Sequence, residues 1–272
     1  MTMYYTVGSK KYWMEEVGEG PPLLLLHGFT GSSGGWQQYA DKWKNEFRVL
    51  MLDLPGHGKT KVPGPIRMED FCEDLEQLLD MLSLTKVHLL GYSLGGRTAL
   101  SFTVLKPERV QALVLESASP GLSSPDEQLA RQTKDEALAE RIIEEGLTSF
   151  VDYWQELPLF ESQTKLPDSV KERIRKERLS QTERGLADSL TGMGTGAQPS
   201  WWGELGSVSH PVLLMAGEID RKFVNIAEEM HESLQNSNLE IVPLSGHAIH
   251  VEQPQKFDTI VQEFLLKSVL GG

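Results

Sequence analysis

The stretch KVHLLGYSLGGRTAL, residues 86–100, runs from an apolar segment into a helix-forming one through a glycine-flanked serine. Val87–Leu90 has the apolar character of a strand buried on both faces, and LGGRTALSFTVLK, starting at Leu94, has a helical pattern. Between them Gly91-Tyr92-Ser93-Leu94-Gly95 fits the G-x-S-x-G nucleophile-elbow pattern. Five residues of this kind also arise by chance, and an inert serine in a glycine-rich turn is the bland alternative. The position between a strand and a helix favours the elbow. A turn that sharp pushes the hydroxyl out at the carboxyl ends of the strands, where open α/β sheets bind their ligands.

A serine hydroxyl needs a base, and the base needs an acid to orient it. Downstream, PVLLMAGEID ends at Asp220 and LEIVPLSGH delivers His247, each just past an apolar strand pattern and in the acid-then-histidine order. Glu218, at the same strand end, competes with Asp220, and His250 competes with His247 but lies nearer the next helix. HGFTGS, His27–Ser32, follows another apolar strand, and the amides of Phe29 and Leu94 are assigned to an oxyanion hole. His88 reads as a core residue, and His27 and His57 as shapers of the backbone. No His/Cys/Asp cluster has metal spacing and no phosphate-binding glycine loop occurs, so neither metal nor cofactor is expected.

Outward from the elbow, the rest of the chain repeats its rhythm. A hairpin-like start, YYTVGSKKYWMEEVGEGPP, precedes the strand patterns PLLLLHG, RVLMLDL, KVHLLGYS, VQALVLES, PVLLMAGE and LEIVPLSG, most of them separated by helical patterns. The expected fold is therefore α/β, with a mostly parallel central sheet and helices on both faces. Between about Gly121 and Ser209 the strands stop and charge-rich helical sequence takes over. The expectation is a core of residues 1–120 and 210–272 with a helical cap inserted at 121–209. A merely solvated helical insert is the alternative, and Trp154, Trp201 and Trp202 speak against it.

The 272 residues carry 39% hydrophobic and 24% charged side chains and a net charge of −13, which disfavours nucleic acid and anionic membranes as partners. No run approaches the roughly 20 apolar residues of a membrane span. The start of the sequence lacks the pattern of a secretory signal, and the single cysteine, Cys72, permits no internal disulfide. A cytoplasmic location, as a monomer or weak homo-oligomer, is expected.

HGFTGS, DLPGHGKT, GYSLGG, GEID and GHAIHVEQP together resemble the α/β-hydrolase superfamily along the whole chain. GYSLGGRTAL, LESASPGL, PLFESQ, GLADSLTGMGTGAQPSWW and GEIDRKF are similar, more narrowly, to the 2-succinyl-6-hydroxy-2,4-cyclohexadiene-1-carboxylate synthases of menaquinone biosynthesis. That resemblance implies a lyase that takes a proton next to a succinyl ketone and expels pyruvate, with a small-molecule polycarboxylate as its partner. It implies substrate contacts from Arg97, Arg131 and Arg178, arginine being suited to carboxylates. Tyr92, Trp154 and Gln198 are implied as further pocket residues. Arg97 snorkelling to solvent, and Arg131 and Arg178 as solvated helix charges, are the alternatives. So, for the whole protein, are a carboxylesterase or C–C hydrolase and a non-catalytic receptor that keeps the triad.

Overall fold

The computed structural model describes residues 2–270. Its strands are β1 (Thr2–Val7), β2 (Lys10–Val17), β3 (Pro22–Leu26), β4 (Arg48–Leu52), β5 (Val87–Tyr92), β6 (Val110–Glu116), β7 (Val212–Gly217) and β8 (Ser237–Val242). They form one sheet in the order β1-β2-β4-β3-β5-β6-β7-β8. The β1–β2 and β2–β4 pairs are antiparallel, and every pair from β4 to β8 is parallel. The unbroken leucines of β3 show why the parallel strands carry no polar alternation. Leu24 and Leu26 face a core shared with Phe71, Leu75 and Leu100, while Leu23 and Leu25 face a second one with Trp36, Trp43 and Phe257.

Nine helices are found among the described residues: α1 (Gln37–Trp43), α2 (Met68–Met81), α3 (Leu94–Leu105), α4 (Pro125–Gln155), α5 (Asp168–Arg178), α6 (Glu183–Met193), α7 (Arg221–Ser233), α8 (Ile249–Glu252) and α9 (Pro254–Leu270). Side chains of α2, α3 and α7 fill the first core, and those of α1 and α9 the second. The short α1 has no counterpart in the sequence reading. Its seven residues present only Tyr39, Ala40 and Trp43 to the core, so tertiary burial rather than a long periodic pattern makes it a helix.

Helices α4, α5 and α6 lie between β6 and β7 in the chain. Ser124 caps α4 by accepting from the Glu127 amide at 3.4 Å, and Pro125 occupies the first turn, where no amide donor is needed. At Gly146 the backbone turns to φ 82°, ψ 165°, a conformation open mainly to glycine, and α4 kinks. Both halves of α4 pack against α6: Ala139 and Ile142 before the kink and Phe150 and Val151 after it form a third apolar cluster with Leu186 and Leu190. Phe29, from the loop after β3, packs against this cluster too, so the helical layer is tied to the carboxyl edge of the sheet.

One of the tight backbone crossings among the described residues is at the start of α3. A Cβ added at Gly95 would stand 2.1 Å from the carbonyl oxygen of Leu26 and 2.7 Å from that of His27. Backbone cannot yield as a flexible side chain can, so Gly95→Ala should lower unfolding stability by about 3 kcal/mol. Denaturant titration by far-UV circular dichroism checks this, and a change below about 0.5 kcal/mol would contradict it.

Candidate active site

Ser93 joins β5 to α3 with φ 51° and ψ −108°, a strained geometry for a residue with a side chain. Neighbouring backbone holds it there: its amide donates to Glu116 O at 2.9 Å, and its carbonyl accepts from the Arg97 amide at 2.9 Å. His247 follows β8 and is 2% exposed. Its Nε2 lies 3.1 Å from Ser93 Oγ and its Nδ1 lies 2.7 Å from Asp220 Oδ2. An ionised carboxylate only accepts, so Nδ1 carries the ring proton and Nε2 is left to accept from the serine. Asp220 is itself fixed as the cap of α7, accepting from the Phe223 amide at 3.4 Å. The competing residues are occupied elsewhere. Glu218 accepts from the Leu244 amide at 3.3 Å, and His250 Nδ1 is 2.9 Å from both carboxylate oxygens of buried Glu116.

The loop after β3 is shaped by two buried histidines, as the sequence reads them. His27 donates through Nδ1 to Gly28 O (2.8 Å) and accepts through Nε2 from the Leu54 amide (3.0 Å). His57 donates to Pro55 O (3.0 Å) and accepts from the Thr30 amide (3.2 Å). Each ring therefore spends both nitrogens as a neutral imidazole. Burial pushes His27 down to about 4, the Gly28 bond opposing it. Burial, then the neighbouring His27, pushes His57 down to about 3. The loop they hold carries Phe29, whose ring meets Trp154 at 5.3 Å. Leu94 opens α3, where the first amides of a helix have no intrahelical acceptor.

Ser93, Leu94, Phe29 and His247 line a cleft of about 1080 Å³, including the solvent at its mouth, between the sheet edge and the helical layer. Arg97 lines it as well, one turn behind the serine. Its Nη1 donates to Met193 O at 2.9 Å and to Gln198 Oε1 at 2.6 Å, so the guanidinium is clamped by the end of the helical layer. Both bonds use one nitrogen, and Nε and Nη2 have no partner among the described residues. Burial, then the charge of Arg131, lowers Arg97 to about 10, which leaves it a cation at neutral pH. Arg131 lines the same cleft while its Nε bonds Asp135 Oδ1 at 2.8 Å.

Of the other residues named from the sequence, Tyr92 and Trp154 line the cleft. Gln198 does not; it reaches the site by holding Arg97. Arg178 is set apart from the serine. It lies buried over the Phe160 ring, 4.7 Å from its centroid, and lines a neighbouring cavity that shares the walls Phe29, Tyr92 and Phe160. The sequence reading missed Ser117 and Ser189, whose buried hydroxyls line the cleft without a partner among the described residues, and Lys222. Ser117 sits at φ 49°, and no sequence pattern announces that. Among the described residues no group of three or more His, Cys, Asp or Glu side chains could hold a metal ion, and no helix is long and apolar enough to cross a membrane.

The profile of the family described as alpha/beta hydrolase fold matches residues 21–254. The chain belongs to this family. It is an enzyme of the alpha/beta hydrolase fold, and particular members lie near it. A Bacillus subtilis (strain 168) protein, provisionally named 2-succinyl-6-hydroxy-2,4-cyclohexadiene-1-carboxylate synthase, is 46% identical over 91% of this chain and 92% of its own length. The solved structure of MenH from S. aureus superposes with a TM-score of 0.90 at 36% identity, covering 94% of this chain and 98% of the other. A thermophilic esterase from Thermogutta terrifontis, solved with malate bound, is more distant in sequence, with a TM-score of 0.87 at 28% identity over 98% and 99% of the two chains. An alpha/beta hydrolase scaffold hosts several reactions, so the choice between synthase and esterase rests on the side chains of the cleft.

The neutral histidines of the loop make the fold sensitive to acid. Both rings have folded pKa values below the ordinary 6.5 or so, so the unfolded chain binds more protons as pH falls from about 6.5 toward 4 and 3. Stability is therefore complete above about pH 6.5 and is lost on acidification, by roughly 2 kcal/mol per ring between pH 7 and pH 5. Urea midpoints at the two pH values should show this loss, with a shallower dependence in His57→Asn. An identical pH dependence in that variant would contradict the assignment.

Proposed function

We propose that the protein is a 2-succinyl-6-hydroxy-2,4-cyclohexadiene-1-carboxylate synthase of menaquinone biosynthesis, a carbon–oxygen lyase. The observation that carries this reading is Arg97: a guanidinium one turn behind Ser93, inside the cleft, clamped through a single nitrogen and open through the others. A simple esterase has no need of a desolvated cation there, whereas a substrate with several carboxylates does. The near relatives bearing the synthase and MenH names support the same choice.

The chemistry then follows from the hydrogen bonds. His247, oriented by Asp220, takes the Ser93 proton, and the serine oxygen takes the proton from the ring carbon beside the succinyl ketone. The amides of Phe29 and Leu94 face the ketone oxygen as it becomes an enolate. Electrons shift from the enolate through the ring double bond and break the carbon–oxygen bond to the enolpyruvyl group. The imidazolium of His247 returns its proton to the departing oxygen, and the enol tautomerises to pyruvate. Ser93 and His247 end as they began, water is not consumed, and no acyl-enzyme forms. Arg97 and Arg131 hold carboxylates while Trp154 walls the ring. The reaction draws on side chains and backbone amides alone, and a cytoplasmic setting, with neither nucleic acid nor membrane as partner, suits it.

The second reading, ester or C–C bond hydrolysis on a small anionic substrate, is favoured by the serine–histidine hydrogen bond itself, which serves acyl transfer equally well. Pyruvate release from 2-succinyl-5-enolpyruvyl-6-hydroxy-3-cyclohexene-1-carboxylate separates the two. Ser93→Ala should lower kcat by at least about 10³-fold. Arg97→Ala should lower kcat/KM by about 10²-fold, as expected when a buried charge loses its partner. Undiminished pyruvate release by Ser93→Ala would overturn the serine base, and rapid aryl-ester turnover with acylation of Ser93 would favour hydrolysis.

A further inference from the structure

The cleft has a further positive side chain, on a different helix from either arginine. Lys222 sits in the first turn of α7, two residues after Asp220, and lines the same cleft as Ser93 and Arg97. It forms no ion pair among the described residues. Its ammonium stands 5.6 Å from the centroid of the Phe223 ring, and that ring meets the His247 ring at 4.6 Å, so the charge is held on the histidine side of the site. Asp220 makes its hydrogen bonds to His247 and to the Phe223 amide and forms no ion pair with Lys222. Among the described residues no aspartate or glutamate lines the cleft, although the protein carries a net charge of −13.

The two poles stand on different helices along the same face of the sheet. Arg97 rises from the helix after β5 and Lys222 from the helix after β7, with β6 between them. Adjacent strands lie about 4.8 Å apart, which sets the bases of the two helices roughly 10 Å apart at the edge where Ser93 and His247 meet. A ligand that satisfies both poles has carboxylates at opposite ends and its reacting carbon in the middle. An exposed ammonium on a flexible stem suits the mouth of such a cleft, where it attracts an anion, holds it as a point charge and releases it again.

We propose that Lys222 binds a substrate carboxylate at the mouth of the cleft, opposite Arg97, and so makes the enzyme selective for ligands anionic at both ends. This rests on the synthase reading and adds to it a contact that reading does not require. The test is steady-state pyruvate release by the intact enzyme. Lys222→Ala should raise KM about tenfold with a much smaller change in kcat, Lys222→Arg should restore KM to within about threefold, and Lys222→Glu should raise it further. Added sodium chloride should raise KM more steeply in the wild type than in Lys222→Ala. An unchanged KM in Lys222→Ala, with the wild type active, would overturn the contact and leave the synthase reading standing. If the wild type releases no pyruvate, the synthase reading fails, and protection of Ser93 by citrate against a fluorophosphonate decides Lys222 separately. Weaker protection in Lys222→Ala supports the contact, and protection that is equal in both proteins, or absent from both, overturns it.

Discussion

The contact of Gly95 with the carbonyls of Leu26 and His27 is the constraint on which the site depends. It brings the start of α3 against the end of β3, with no side chain between the two backbones. Three functional elements are placed by that one approach. Ser93 is forced into the strained turn, the Leu94 amide opens the helix beside the loop that carries Phe29, and Arg97 comes round one turn later on the face toward the cleft. His247 and Asp220 arrive independently on β8 and β7, and meet the serine because parallel strands end together at one edge.

Electrostatics divides the protein in the same place. Outside, acidic side chains predominate; inside the cleft the charged groups are cations. Arginine at the deep position retains its charge despite desolvation and the nearby Arg131, whereas a lysine there would shift toward neutrality far more readily. The helical layer contributes by tying Arg97 down through Met193 and Gln198, so the cation is positioned before a ligand arrives. In the proposed reaction, preorganised charge of this kind costs no reorganisation as the enolate forms.

The parts of this arrangement that could be read from the chain are those set by neighbours in sequence. G-x-S-x-G between an apolar run and a helix, a leucine run buried on both faces, and Asp220 and His247 just past strand patterns each carry a local signature. So does Arg97, because a helical turn fixes its side relative to Ser93. Residues on the helical layer carry none, since their direction follows from a kink at Gly146 and from packing against the sheet edge. Arg131 and Arg178 look alike as helix charges, yet one lines the serine's cleft and the other lies beyond Phe160. Lys222 is equally silent, one of several charges in a loop-to-helix junction, and only its place in the wall of the cleft distinguishes it from Arg221.

The central claim is that a base-activated alcohol among cations eliminates pyruvate from a polyanionic ring without the intervention of water. Following pyruvate and ring product together, by coupled assay and by the absorbance of the conjugated diene, addresses it most directly. The account predicts that the two appear in equal amounts and at the same rate. Release of pyruvate with a hydrated, non-conjugated ring product, or the absence of either species, would contradict it.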